Sequence, residues 1–273
     1  MTTEPSDRIC ETVRKGYADI AKGQSGGCCG CSSPATLATA VGYTNEELAA
    51  LPDGANMGLS CGNPTAIANL KPGQVVLDLG SGGGFDVFIA ACKVGPEGRA
   101  IGVDMTPEML DKARAAIAAF TKKTDLRNVE FRLGEIEHLP VADNSIDVVI
   151  SNCVINLSPD KPQVWREIYR VLKPGGTACV SDLALKEELP AEVKASVQAH
   201  LGCVAGAVRI EKTVEMMQAA GLTDVTFRDK PGNMDAMDGC NDALYKVVRE
   251  LLPEGKKLSD YVSSVDFTGC KKV

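Results

Sequence analysis

The sequence predicts a doubly wound, mostly parallel α/β fold, and three observations predict it. From Gly73 onward, apolar runs of strand length alternate with amphipathic helical patterns. The first run, Val75 to Leu79, empties into Gly80, Gly82, Gly83 and Gly84, the tight turn that such folds place between a strand and a ligand-facing helix. Further on, the helical pattern of REIYRVLKPGG, Arg166 to Gly176, is stopped by Pro174 and Gly175 before another strand. The core then spans 71–182, between an N-terminal helical and cysteine-loop segment, 1–70, and a C-terminal α+β part, 183–273, that carries substrate-binding residues and completing strands.

Composition narrows the function classes. A chain of 273 residues with a net charge of −7, and without Lys/Arg clusters at aromatic spacing, is no nucleic-acid binder. No apolar run reaches membrane-spanning length, and Met1 to Ser6 lacks the layout of a signal peptide, so a soluble cytoplasmic protein without a membrane partner is expected. Eleven cysteines stand out against that background, and their odd number forbids full pairing. Without export, thiols serve packing, ligation or redox chemistry rather than a disulfide framework.

Taken in order, Asp7 to Ala21 predicts a helix with Ile9, Val13, Tyr17 and Ile20 on one side and a stop at Gly23. Gln24 to Pro34, QSGGCCGCSSP, is a flexible loop carrying Cys28, Cys29 and Cys31. Zinc is an alternative for the C-x-x-C pair Cys28 and Cys31, although no second such pair or nearby His completes a tetrahedral set. Thr44 or Asn45 caps a helix to Leu51, with Glu46 and Glu47 in its first turn. In LSCGNP, Leu59 to Pro64, Cys61 sits in a turn just ahead of the first sheet strand.

Strands are expected around Leu77, Ala100, Val129, Ile146 to Ser151 and Thr177 to Ser181, with helices Phe85 to Cys92, Pro107 to Phe120 and Gln163 to Leu172 between them. Pro190 to Leu201 predicts one amphipathic helix running into Gly202-Cys203, and Lys212 to Gly221 another. Thr226 to Phe227 and Tyr261 to Thr268 supply an antiparallel edge pair, while Asn233 to Asp260 yields no reading. Met216 and Met217 belong to the core, and Cys10, Cys92, Cys179, Cys240 and Cys270 read as packing thiols.

The glycine turn is read as part of a nucleoside site. Asp104, closing the second strand about 20 residues after the turn, suits two ribose hydroxyls. Asp78, just before Gly80, would repel a pyrophosphate and suits a cationic ligand. After the third strand, Ile136 can cover a base and Glu135 or Glu137 can accept from its amino group, whereas His138 reads as a loop residue. Cys153, ending the fourth strand, faces the ligand crevice.

The D-x-G-x-G-x-G pattern of Asp78, Gly80, Gly82 and Gly84, closed by Asp104, resembles motif I of class I S-adenosylmethionine-dependent methyltransferases. Cys61, SNCVINL at Ser151 to Leu157 and GCVAGA at Gly202 to Ala207 together resemble the arsenite methyltransferases of that superfamily, and the likeness runs from Tyr17 to about Asp229 in the shorter, microbial form. The resemblance implies a Rossmann-like sheet and S-adenosylmethionine held by Asp78, Gly80, Ser81, Gly82, Asp86, Asp104, Met105, Ile136, Glu137 and Asn152. It implies that Cys153 and Cys203 hold trivalent arsenic. Cys61 and one N-terminal cysteine, assigned as Cys29 in competition with Cys28 and Cys31, then act as additional ligand or redox partner. The substrate would be arsenite or its thiol conjugates, and the reductant thioredoxin or glutathione. Two readings compete: a methyltransferase acting on carbon or oxygen of a small organic substrate, and a metalloid-binding protein without catalysis. With only two histidines and no evident acid/base pair, the chain suits a reaction that needs no general base.

Overall fold

The computed structural model describes residues 5–23, 34–238 and 243–273. Its strands form one sheet. At the centre, β1 (Val75–Leu79) lies between β2 (Arg99–Asp104) and β4 (Ile146–Asn152), with β3 (Val129–Leu133) outside β2 and β5 (Leu172–Leu185) beside β4, all five parallel. The order β3-β2-β1-β4-β5 reverses direction between β1 and β4, which opens a crevice at the carboxyl ends of those two strands. A two-residue β6 (Val208–Arg209) pairs with the far end of β5, and β8 (Val262–Cys270) and β7 (Thr223–Asp229) extend the sheet antiparallel.

Among the described residues four helices precede the sheet: α1 (Pro5–Ala21), α2 (Pro34–Ala40), α3 (Asn45–Ala50) and α4 (Pro64–Ile67). Three cross between parallel strands: α5 (Phe85–Val94), α6 (Pro107–Thr124) and α7 (Lys161–Val171). The remainder are α8 (Ala191–Lys194), α9 (Val197–Leu201), α10 (Ile210–Ala219), α11 (Pro231–Asp238), α12 (Ala243–Glu250) and α13 (Leu258–Tyr261). Alternation along the strands feeds two cores. Val76, Ala100, Phe131 and Ile150 pack on one face with Phe88 and Leu110, while Leu77, Leu79, Ile101 and Val149 pack on the other with Trp165, Ile168 and Met217. Among the described residues no helix is long and apolar enough to cross a membrane.

Three expectations are revised. Pro190 to Leu201 is not one helix, because Ser196 leaves helical geometry and its hydroxyl accepts from the Ala199 N–H at 3.2 Å, starting α9 afresh. Tyr261 ends α13 instead of opening the strand. The two segments do pair antiparallel, Thr226 with Thr268 and Phe227 with Phe267, yet β8 is interior, hydrogen-bonded to β5 along Thr177 to Leu185, and β7 alone is the edge of that side. The helix cap at Thr44 is a full capping box, with Glu47 Oε2 accepting from Thr44 N at 2.8 Å.

Candidate active site

The crevice is built by the loop after β1. Gly80, Gly82 and Gly84 all adopt positive φ, and a Cβ on Gly80 would lie 2.5 Å from the Val154 side chain. The turn brings Gly82 N–H to Asp104 Oδ2 at 2.9 Å, while Thr106 N–H donates to Asp104 Oδ1 at 2.8 Å. Asp104 is thus fixed by backbone donors at the rim, with lone pairs left for ligand hydroxyls. Asp86, in the first turn of α5, accepts from Tyr43 Oη at 2.6 Å and from Asn152 Nδ2 at 3.2 Å. Burial outweighs both donors and pushes its carboxyl up to about 6. Burial, and then Asp86 and Asp104, hold the Asp78 carboxyl well above the ordinary range.

The ten residues that the resemblance implies for the cofactor line this one crevice: Asp78, Gly80, Ser81, Gly82, Asp86, Asp104, Met105, Ile136, Glu137 and Asn152. Ser81 Oγ is buried without a hydrogen-bond partner. Glu137 accepts from the Ser158 hydroxyl, whereas its neighbour Glu135 pairs with Arg14 at 2.8 Å and does not line the crevice. The crevice lining holds Asp78, Asp86, Asp104 and Glu137 but, among the described residues, no Lys, Arg or His. Such a surface rejects a pyrophosphate and accommodates a cation.

The thiols gather at the carboxyl end of β4. Cys61, fully buried, is joined by a disulfide to Cys153, 92 residues away, with a Cα separation of 6.1 Å. Cys153 follows β4 at a φ of +55°, and Cys203 follows α9 at a φ of +62°, both in the left-handed region. Cys203 Sγ donates to the Cys153 carbonyl at 2.6 Å. Cys153 also lines the crevice, so the thiol group and the carboxylate group share one space. Burial pushes the Cys203 thiol well up, Asp182 adds to the rise, and Lys161 opposes it. Cys61 is held from three sides: its N–H donates to Asn152 Oδ1 at 3.2 Å, and its carbonyl accepts from Ser264 Oγ at 2.9 Å and Asn233 Nδ2 at 3.1 Å.

Residues 70–221 match the protein family described as Methyltransferase domain. Over 81% of its length the chain is 48% identical to the arsenite methyltransferase of Halobacterium salinarum, and over 78% it is 38% identical to that of Aquipseudomonas alcaligenes. It spans 59% and 62% of those two proteins. The crystal structure of an arsenic(III) S-adenosylmethionine methyltransferase from Chlamydomonas reinhardtii aligns at a TM-score of 0.60 and 32% identity, over 89% of this chain and 75% of that one. The chain belongs to this family of class I methyltransferases. The fold extends more widely: phosphoethanolamine N-methyltransferase 2 of Haemonchus contortus aligns at a TM-score of 0.61 with 20% identity.

Cys61, Cys153 and Cys203 come together, while Cys28, Cys29 and Cys31, and with them the zinc alternative, lie outside the described residues. Cys10, read as a packing thiol, instead lines the crevice together with Val13 and Tyr17 of α1. An amphipathic helix announces a buried face but not what that face covers. Sequence reading missed Tyr43, Asp182, Asn233 and Ser264. Each acts through a partner more than twenty-five residues away and carries no local motif.

Proposed function

We propose that the protein transfers the methyl group of S-adenosylmethionine to thiolate-bound trivalent arsenic, with arsenite or a thiol conjugate of it as substrate. The observation that carries this reading is the gathering of Cys61 and Cys203 around Cys153, which lines a crevice holding four carboxylates and, among the described residues, no cationic side chain. The crevice suits the cofactor: Asp104 to take ribose hydroxyls, Ile136 to cover the base, Glu137 to face its amino group, and Asp78 and Asp86 near the cationic end. When bound, S-adenosylmethionine supplies an electrophilic sulfonium methyl.

The chain's own residues do the rest. Soft arsenic exchanges hydroxide for thiolate, so the Cys153 and Cys203 thiols each displace one hydroxyl of arsenite as water. The pyramidal centre that results keeps a lone pair, and holding it at near-attack distance from the methyl carbon replaces a general base, because bound arsenic has no proton to lose. Donation of the lone pair makes the metalloid pentavalent. Attack of the Cys61 thiolate on Cys153 sulfur then forms the Cys61–Cys153 disulfide, the arsenic–sulfur electron pair returns to arsenic, and the trivalent product, still on Cys203, is released when water or an external thiol takes the place of the Cys203 sulfur, which regains its proton. The Cys61–Cys153 disulfide fits the oxidised end of that cycle. Its reduction calls for an external dithiol or glutathione, in keeping with a cytoplasmic setting, and Cys29 is the thiol we assign to relay the exchange.

The reading is tested by incubating reduced protein with methyl-labelled S-adenosylmethionine and arsenite and separating the arsenicals. Labelled methylarsenicals are expected. Binding of arsenite without labelled product would leave a metalloid-binding protein, and methylation of organic acceptors alone would leave the other enzyme class.

Two expectations concern the cofactor. Asp104→Ala removes the acceptor for two backbone donors and for the ligand hydroxyls, so S-adenosylmethionine affinity should fall about ten- to a hundredfold by calorimetry. An unchanged affinity would remove Asp104 from the site. Protons should compete with a cationic ligand, because burial raises Asp78 and brings Asp86 up to about 6. A cation favours the ionised carboxylates, so affinity is full above the raised values and falls as the pH drops through about 6, by up to about tenfold per pH unit for each proton displaced. A flat profile between about pH 8 and pH 5 would contradict this arrangement.

A further inference from the structure

Beside the two thiols lies a charged group that the proposed chemistry does not yet use. The sulfurs of Cys153 and Cys203 and a carboxylate oxygen of Asp182 all lie within 4.8 Å of one another, and all three residues are buried. Asp182 stands on β5 and is locked in place: Asn156 Nδ2 and Leu183 N–H donate to Oδ1, each at 2.8 Å, and Asn156 N–H donates to Oδ2 at 3.2 Å. Lys161, whose Nζ donates to the Ser158 carbonyl at 3.0 Å, is the cation facing both Asp182 and Cys203. A carboxylate so close to a thiol opposes thiolate formation, so it is adverse to a site built from sulfur ligands unless the substrate presents it with a donor.

We propose that Asp182 is a specificity-determining residue of the thiol site, accepting a hydrogen bond from the hydroxyl that arsenite retains after Cys153 and Cys203 have displaced the other two. This rests on the arsenite reading above. The balance is As(OH)3 plus two thiols giving a dithiolate with one hydroxyl and two waters, with no change of oxidation state. That hydroxyl is the only donor on the bound metalloid, and Asp182 is the acceptor that occupies the third corner of the sulfur–sulfur–oxygen triangle. A charge-assisted bond of this kind both anchors the centre and fixes its rotation, hence the direction of the lone pair. Methylarsonous acid differs in one respect: after two thiols have bound, it carries a methyl group and no hydroxyl. The site therefore distinguishes the first methylation from the second.

The experiment compares Asp182→Asn with the native chain, both fully reduced, by measuring dissociation constants for arsenite and for methylarsonous acid together with the single-turnover rate on each. Trp165, which lines a small internal cavity with Asp182, offers a fluorescence reporter. Arsenite affinity should fall about tenfold or more, while affinity for methylarsonous acid should change less than about twofold. Equal losses for both arsenicals would mean a structural role and overturn the assignment, as would no loss for either. Should Asp182→Asn not fold, Asp182→Glu, which keeps the charge but moves it, takes the same paired measurement. A native chain that binds neither arsenical through its thiols would defeat the functional reading instead, and the two failures are told apart by the native control.

Discussion

Cys203→Ser is expected to abolish methyl transfer to arsenite while leaving S-adenosylmethionine binding intact. The two effects separate because Cys203 is buried behind Cys153 and does not line the cofactor crevice, whereas its sulfur is directed at the Cys153 carbonyl from 2.6 Å. Serine fits the space and can donate the same hydrogen bond, so the φ of +62° and the surrounding loop should persist. What changes is chelation. With one sulfur gone, arsenic is held by a single ligand that exchanges with solvent thiols, and the advantage of a second, intramolecular ligand is on the order of 10²- to 10⁴-fold. The hard serine oxygen does not replace it. Catalytic efficiency on arsenite should therefore drop by at least about a hundredfold, read from labelled methylarsenicals, with the cofactor dissociation constant within about twofold of native. Activity close to native would remove Cys203 from the ligand set. The same substitution should leave the Cys61–Cys153 disulfide able to form, because neither of its sulfurs depends on Cys203.

The central half of the fold was readable because its signals are local. An apolar run followed by glycines, as in Val75 to Gly84, states both the strand and the turn, and Asp104 closes the next strand on the rim of the crevice. The five parallel strands and their crossing helices follow from period and punctuation in the same way. The C-terminal part was less legible because its order is set by long-range pairing. Nothing in Val262 to Cys270 says that it will lie against β5 instead of at the edge, and nothing in the 233–260 stretch says that Asn233 will reach the Cys61 carbonyl. The thiol site divides along similar lines. Cys61, Cys153 and Cys203 were found through likeness to a family, since no spacing rule links residues so far apart in the chain. Asp182 and Tyr43 had no such likeness to reveal them, and appear only once the sheet has brought their partners within hydrogen-bond reach.

Gly206→Ala should break the thiol site from a distance. Gly206 closes the loop that begins at Cys203, and a Cβ placed on it would lie 2.0 Å from the Asn156 carbonyl oxygen and 3.0 Å from its carbonyl carbon. Those are backbone atoms, and the backbone of Asn156 cannot swing aside: its N–H and side-chain amide are both bound to Asp182, and its amide also donates to the Leu183 carbonyl at 2.6 Å. The methyl group must instead push the Gly202–Ala207 loop outward, carrying Cys203 away from Cys153. Overpacking of this kind costs ~1–3 kcal/mol, which for a chain of this size lowers the melting temperature by ~2–4 °C for each kcal/mol. The larger effect should be functional, because a shift of about an ångström in a positioned reactant lowers rates on the order of a hundredfold. Arsenite methylation should collapse while S-adenosylmethionine still binds, since the crevice lining does not include this loop. Gly232→Ala is the control, with nothing within 4 Å of its Cβ position. It should melt within about 1 °C of the native protein, as surface changes away from packed features do. If Gly206→Ala melted like that control and took up arsenite undiminished, the two cysteine loops would have to be less tightly locked together than the contacts around Asn156 require.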